Sequence, residues 1–305
     1  MTGTAFSTRE VPWMKLGKLV DTPQTAAQAM EMAGLNFTVS KQPAGYVGAD
    51  GQWHRSNHRV AIVRDDTGEL FEFVSPDYEI FQYAEAFDFM DAIRPHYVAA
   101  GPLKGGRQAF LVVEPERSEF TVGGDDKHDL YAILRTSHDR SRAIEVTLMA
   151  LRGRCMNQLT LSTFGRGAKY RWSIPHTRSM REKLIQAQHV MAQLDEYTTE
   201  FQHLAERLMR SRPEEDKVRS ILAKHVTPWA KKQDEVLDTI LHLWRENEEQ
   251  VGFNDTSWGV VSAVSEYFDW GRSRGTPESR FLNALQGVTH NTINRVTKEL
   301  LELTA

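Results

Sequence analysis

The stretch that decides the fold is residues 96–149, HYVAAGPLKGGRQAFLVVEPERSEFTVGGDDKHDLYAILRTSHDRSRAIEVTLM. Apolar, β-branched and aromatic residues fill 96–100, 108–114, 119–122, 129–136 and 142–149, and Gly101-Pro102, Gly105-Gly106 and Gly123-Gly124-Asp125 punctuate them. Short runs of this composition between turn residues read as strands joined by hairpins. Upstream, 59–64 and 69–74 flank Asp65-Asp66-Thr67-Gly68, a hairpin turn by its chemistry. Residues 36–40 alternate as a strand, and 43–57 read as a polar, Gly-containing loop. Thr22-Pro23 and Gly34 bound a short helix over 22–32. Ala86, Phe87, Met90 and Ile93 mark an amphipathic helix over 83–93 that Pro95 stops. Residues 1–21 show no period, but Val11-Pro12-Trp13 and Leu16-Gly17 suit an arm packed on its own domain or a neighbour's.

Downstream the pattern turns helical. Ser179-Met180-Arg181-Glu182 is a capping box. Met180, Leu184, Ala187, Met191, Leu194, Thr198, Phe201, Ala205 and Leu208 then recur at steps of four and three, which predicts one long helix over 179–211 with a heptad seam. Such a seam either lays the helix on the sheet or joins copies of the chain. Further helices are expected over 234–247, 257–270 and 277–303, the last interrupted at Gly287. The fold class is therefore α+β: a β-rich mixed or antiparallel sheet in the N-terminal half, then a helical C-terminal third. The expected division is a β-rich domain with its arm over 1–176 and a helical region packed on it over 177–305.

A chain of 305 residues with 40% apolar and 26% charged side chains has room for one large globular domain or two. Its single cysteine, Cys155, excludes an intramolecular disulfide and a Cys-based zinc site. Apolar runs are short, and the N-terminus lacks a signal peptide's charged start and apolar core, so a soluble protein of the bacterial host cytoplasm is expected. None of the eleven histidines forms His-Glu-x-x-His or pairs with another at ligand spacing. Asp66-Thr67-Gly68 is the tripeptide of aspartic proteases, but the charged neighbours Arg64, Asp65 and Glu69 suit an exposed turn. Residues 101–107 lack the Gly-Lys-Ser/Thr ending of a phosphate-binding loop. Arg152 and Arg154 near Cys155 favour a thiolate, while Leu151 and Met156 favour burial; a structural role is expected. No carboxylate pair, triad or ligand cluster is visible, so no catalytic residue, metal or cofactor is assigned. A hydrolase would need carboxylates brought together by the fold alone.

The functional signal is charge. Residues 135–183 hold eleven Lys and Arg against three Asp and Glu, in a chain of net charge −4. Positive charge concentrated in an acidic chain addresses an anion, most commonly phosphate. Arg135, Arg140, Arg142, Arg152 and Arg154 supply guanidinium, which forks onto phosphate. Arg152 with Arg154, and Lys169 with Arg171, are two apart and share a face if the chain is extended. Tyr170 and Trp172 interleave with the second pair, and Asn157 and Gln158 offer hydrogen bonds to base edges or a cap. That arrangement suits a single strand, its phosphates on Arg152, Arg154, Lys169 and Arg171 and a base on Tyr170 or Trp172. The same alternation also describes a half-buried strand with its polar face in water.

A family resemblance runs through most of the chain. It rests on Pro12-Trp13 with Leu16-Gly17, Ala33-Gly34-Leu35-Asn36-Phe37, Arg64-Asp65-Asp66-Thr67-Gly68 with Val74-Ser75 and Tyr78, and Glu85-Ala86-Phe87. It continues in Ala100-Gly101, Gly106-Arg107, Ser137-His138-Asp139, Arg152 to Asn157, Ile174-Pro175-His176-Thr177 and AVSEYFD at 263–269. These residues resemble the phage/plasmid-like family of unknown function, encoded on phages, prophages and plasmids. The chain departs from that pattern at Met14, where the family usually has histidine, and at Arg140, where it usually has glycine. The setting, and a distant likeness to single-strand annealing proteins of recombination, imply DNA and assembly into rings or filaments. The resulting expectation is a non-catalytic, homo-oligomeric single-stranded DNA-binding or annealing protein of a phage or plasmid. The alternative is an interaction module that inhibits or recruits a host factor without touching nucleic acid. Salt separates the two, since phosphate contacts weaken steeply as salt rises.

Overall fold

Strands β1 (Ala5–Ser7), β2 (Gly17–Leu19), β6 (Pro95–Leu103), β7 (Gln108–Pro115), β8 (Glu119–Val122), β9 (Asp126–Ser137), β10 (Ile144–Leu151) and β11 (Arg171–Ile174) form the main sheet. The computed structural model describes residues 5–8, 17–23, 25–91, 95–116, 118–124, 126–151, 170–191, 194–227, 232–247, 252–271 and 276–304. The strand order is β11-β10-β9-β7-β6-β1-β2, and β8 extends the line of β7 along β9. β8 pairs with 126–129 of β9 and β7 with 132–137, so one long strand templates two short ones. β1 docks antiparallel on β6, and β2 runs parallel to β1. Gly101 makes that docking possible, because a Cβ there would overlap the Cα and Cβ of Ala5.

Both faces of this sheet are covered, which is why its central strands read as nearly unbroken apolar runs. Leu111, Ala132, Leu134, Val146 and Leu148 face the large core shared with the helices. Phe110, Val112, Tyr131, Ile133, Met149 and Leu151 face a smaller cluster that includes Ala284.

A second, three-stranded antiparallel sheet holds β3 (Val39–Val47), β4 (Trp53–Arg64) and β5 (Leu70–Val74). The β4–β5 turn falls on Asp65 to Gly68 as expected, with Gly68 at φ 72°. The loop expected over 43–57 is instead the distal part of the β3–β4 hairpin. Pro43 is accommodated because the register shifts between it and Gly45, and such a bulge needs no regular ladder bond.

The helices are α1 (Ala26–Met32), α2 (Tyr83–Asp91), α3 (Met180–Met191), α4 (Leu194–Arg210), α5 (Glu215–His225), α6 (Gln233–Glu246), α7 (Ser257–Glu266), α8 (Pro277–Gln286) and α9 (Val288–Glu302). α1 starts later than expected because Thr25 is the cap, its Oγ1 accepting from the Gln28 amide at 3.2 Å. The heptad stretch is α3 and α4, with residues 192–193 outside the described set. Met180, Leu184, Ala187, Phe201, Ala205 and Leu208 are buried in the chain's own core, so these positions of the seam are used internally. α5 was not foreseen; only Val218, Ile221 and Leu222 of its eleven residues are buried.

α7 is central, buried along Ser257 to Ser265. Two indoles tie it in: Trp244 Nε1 donates to the Thr256 carbonyl at 3.0 Å and Trp258 Nε1 to Asp126 Oδ2 at 3.1 Å. The fold class is α+β, with a β-rich N-terminal region and helices in the C-terminal part. Among the described residues no helix is long and apolar enough to cross a membrane, and no group of three or more His, Cys, Asp or Glu is placed to hold a metal ion.

Candidate nucleic-acid interface

Of the residues proposed from the basic stretch, Arg152, Arg154, Asn157 and Lys169 lie outside the described set, as does Cys155. Of the rest, Arg135, Arg142 and Arg171 converge on Glu145 across β9, β10 and β11. Arg135 on β9 stands opposite Glu145 on β10. Arg142 Nη1 lies 3.1 Å, and Arg135 Nη1 4.0 Å, from Glu145 Oε2, while Arg171 Nη2 is 3.5 Å from Oε1. Arg171 and Trp172 point to opposite faces: Trp172 packs half-buried on the large core. Tyr170 is 1% exposed and meets Tyr197 edge-on at 4.9 Å. Its ring is core, which leaves no face for a base. The alternation read as cation and stacking platform is, here, a strand with one side in the core.

Arg140 follows Ser137-His138-Asp139 in the turn from β9 to β10. It adopts φ 60°, a strained region for a side chain with a Cβ, and its Nη1 donates to the Phe73 carbonyl at 3.2 Å. Beside it, Ser137-His138-Asp139 and His176 converge although far apart in sequence. His138 has no exposed surface and lies 4.2 Å, centroid to centroid, from Tyr83. Tyr78 stacks on His176 at 4.8 Å and donates to the Ser137 carbonyl at 3.0 Å. The Ser137 hydroxyl donates to the Arg142 carbonyl at 3.1 Å, turned to that loop. Burial, and then the neighbouring His176, push His138 down to about 3, so its imidazole is neutral. This cluster joins the small sheet to the large one.

Asp66 of the protease-like tripeptide is also spoken for. Arg64 donates from Nε and Nη2 to its two oxygens at 2.6 and 2.9 Å, and that fork holds the carboxyl below the ordinary range.

Phe73, beside Arg140, is partly exposed, and two more strongly exposed aromatic residues lie on the β3–β4 hairpin. β5 pairs only with Val60 to Val63, so beyond that point the β3–β4 hairpin has no third strand. Tyr46 is 66% exposed and Trp53 54%, with Val47 also bare. Tyr46 pairs with His54 and Val47 with Trp53, so the tip presents an aromatic ring on each face. Gly45 is required there, since a Cβ would overlap the Trp53 indole and the His54 carbonyl. Residues 41–59 carry Lys41, Arg55 and Arg59 against one carboxylate, Asp50, which His54 Nε2 meets at 3.1 Å. The signal in the sequence was Tyr46-Val47 and Trp53-His54-Arg55 either side of Gly48 and Gly51; Pro43 and the glycines concealed it.

A family model described as a domain of unknown function, DUF932, matches residues 70–298. The chain belongs to the DUF932 family. The DUF932 match begins at the first residue of β5 and takes in the basic stretch, the His138 cluster and all helices from α2 to α8, with most of α9. The hairpin lies ahead of it. No curated protein and no solved structure matches the chain.

Proposed function

We propose that this DUF932 chain binds single-stranded nucleic acid, with the β3–β4 hairpin as its leading contact. The observation that carries the reading is the exposed hairpin tip, where Tyr46, stacked by one face on His54, and Trp53 are each more than half exposed on the strand pair that also carries Arg55 and Arg59. Aromatic faces give bases a sequence-tolerant platform, and flanking cations track the phosphates. In the sequence, Arg140, Arg152, Arg154, Lys169 and Arg171 add cations for phosphate, and Asn157 a hydrogen-bonding amide. The resemblance to phage and plasmid proteins, and to single-strand annealing proteins, agrees with a non-catalytic, homo-oligomeric annealing role for a mobile element.

The test is fluorescence anisotropy with a labelled thymidine oligonucleotide across salt. Trp53→Ala should weaken binding by about 1–3 kcal/mol without changing the salt slope. Arg55→Ala and Arg59→Ala should each lower the slope of log affinity against log salt by about 0.7. If the parent binds no oligonucleotide at low salt, the reading fails and the hairpin is better taken as a protein-docking arm, the interaction-module alternative.

A further inference from the structure

Arg135 is not explained by packing. Its side chain is 3% exposed, yet none of its three guanidinium nitrogens has a hydrogen-bond partner. Its closest ionic contact is Glu145, 4.0 Å away, a carboxylate that Arg142 and Arg171 approach more closely. A buried charge without hydrogen bonds is among the costliest features a fold can hold. Lysine or histidine would escape by losing a proton, but guanidinium does not. Burial, and then repulsion from Arg142, bring Arg135 down only to about 10, so it stays charged at neutral pH. Burial, and then the charge of Arg171, push His290 down to about 4, so it adds no charge there. Three guanidiniums, those of Arg135, Arg142 and Arg171, thus face the Glu145 carboxylate.

We propose that Arg135, Arg142 and Arg171 form a seat for a phosphate monoester dianion, entered past the partly exposed Arg142 and Arg171. A monoester offers three terminal acceptor oxygens to the three guanidiniums, one more than a diester in the middle of a strand. A tetrahedral oxyanion also accepts from a guanidinium fork in the bidentate way that satisfies Arg135. The seat does not depend on strand binding by the hairpin.

The experiment uses the full chain in oxyanion-free buffer and follows thermal unfolding while inorganic phosphate is titrated against sodium chloride of equal ionic strength. A saturating rise of Tm in phosphate, absent in chloride, is expected. Arg135→Met leaves Glu145 held by Arg142 and Arg171, so the variant should fold and lose the phosphate-dependent rise. Arg171→Ala, at the exposed rim, should fold like the parent and need about ten-fold more phosphate for the half-maximal rise. It decides alone if Arg135→Met does not fold. Trp53→Ala should respond to phosphate as the parent does, which keeps this test apart from that of the hairpin. Adenosine monophosphate and a 5′-phosphorylated oligonucleotide, each against its unphosphorylated form, distinguish a free nucleotide from a strand end. Equal responses to phosphate and chloride, no response, or an unchanged response in Arg171→Ala overturn the proposal.

Discussion

His138 sits sealed between Phe71 and Tyr83, and both of its ring nitrogens lack a partner. Burial lowers His176 as well, and lowers His290 to about 4. All three are neutral when folded, whereas in the unfolded chain histidine takes up a proton below about pH 6.5. The unfolded state therefore binds more protons in that range, and stability falls as pH falls. Above about 6.5 the histidines contribute no pH dependence. Each should cost up to about 1.4 kcal/mol per pH unit between about 6.5 and its folded value. Urea unfolding at pH 7.5 and 5.5 measures this. His138→Phe, which keeps an aromatic ring in the box and removes two unsatisfied nitrogens, should flatten the slope by one histidine's share. A slope as steep as the parent's would remove His138 from the account.

At the scale of elements, the sequence was most legible where one physical constraint acted alone. β8 falls on the expected 119–122, and α6, α7, α8 and α9 follow their apolar periods, broken at Gly287 as composition demands. It was least legible where two constraints competed. Pro43 and the glycines at 45, 48 and 51 outweighed the alternation that makes 39–47 a strand, because a bulge reconciles them only in three dimensions. The seam of α3 and α4 has the period of a coiled coil, yet Met180 and Leu208 are buried in the core and Phe201 meets Phe120 of β8 and Trp258 of α7. Periodicity names the buried face of a helix and is silent on what buries it. The candidate site was legible as a charge imbalance, while its geometry depended on Glu145, one carboxylate across a strand pair. Because Tyr46, Val47 and Trp53 at the hairpin tip are exposed, replacing residues 45–56 by a two-residue Asn-Gly turn should alter stability by no more than about 1 kcal/mol. Nucleic-acid binding should be lost. Loss of folding, read by thermal melting, would show that the arm supports the body.

On the scale of the whole molecule, the main sheet ends in short strands from the chain's beginning. Ser7 and Phe6 lie against Ala99 and Ala100, and the Ser7 hydroxyl donates to the Val98 carbonyl at 3.3 Å. The groove that receives Ala5 exists because position 101 is glycine. Lifting that segment away bares a row of N–H and C=O groups on β6, a template for any extended peptide. A chain shortened to residues 21–305 should therefore aggregate, measured by light scattering, and a synthetic peptide of residues 1–20 added in trans should suppress it. Gly101→Val should close the receiving groove and make the shortened chain deaf to the peptide. The first strand is then a removable plug, and the two fragments amount to a split protein whose reassembly can be timed by mixing.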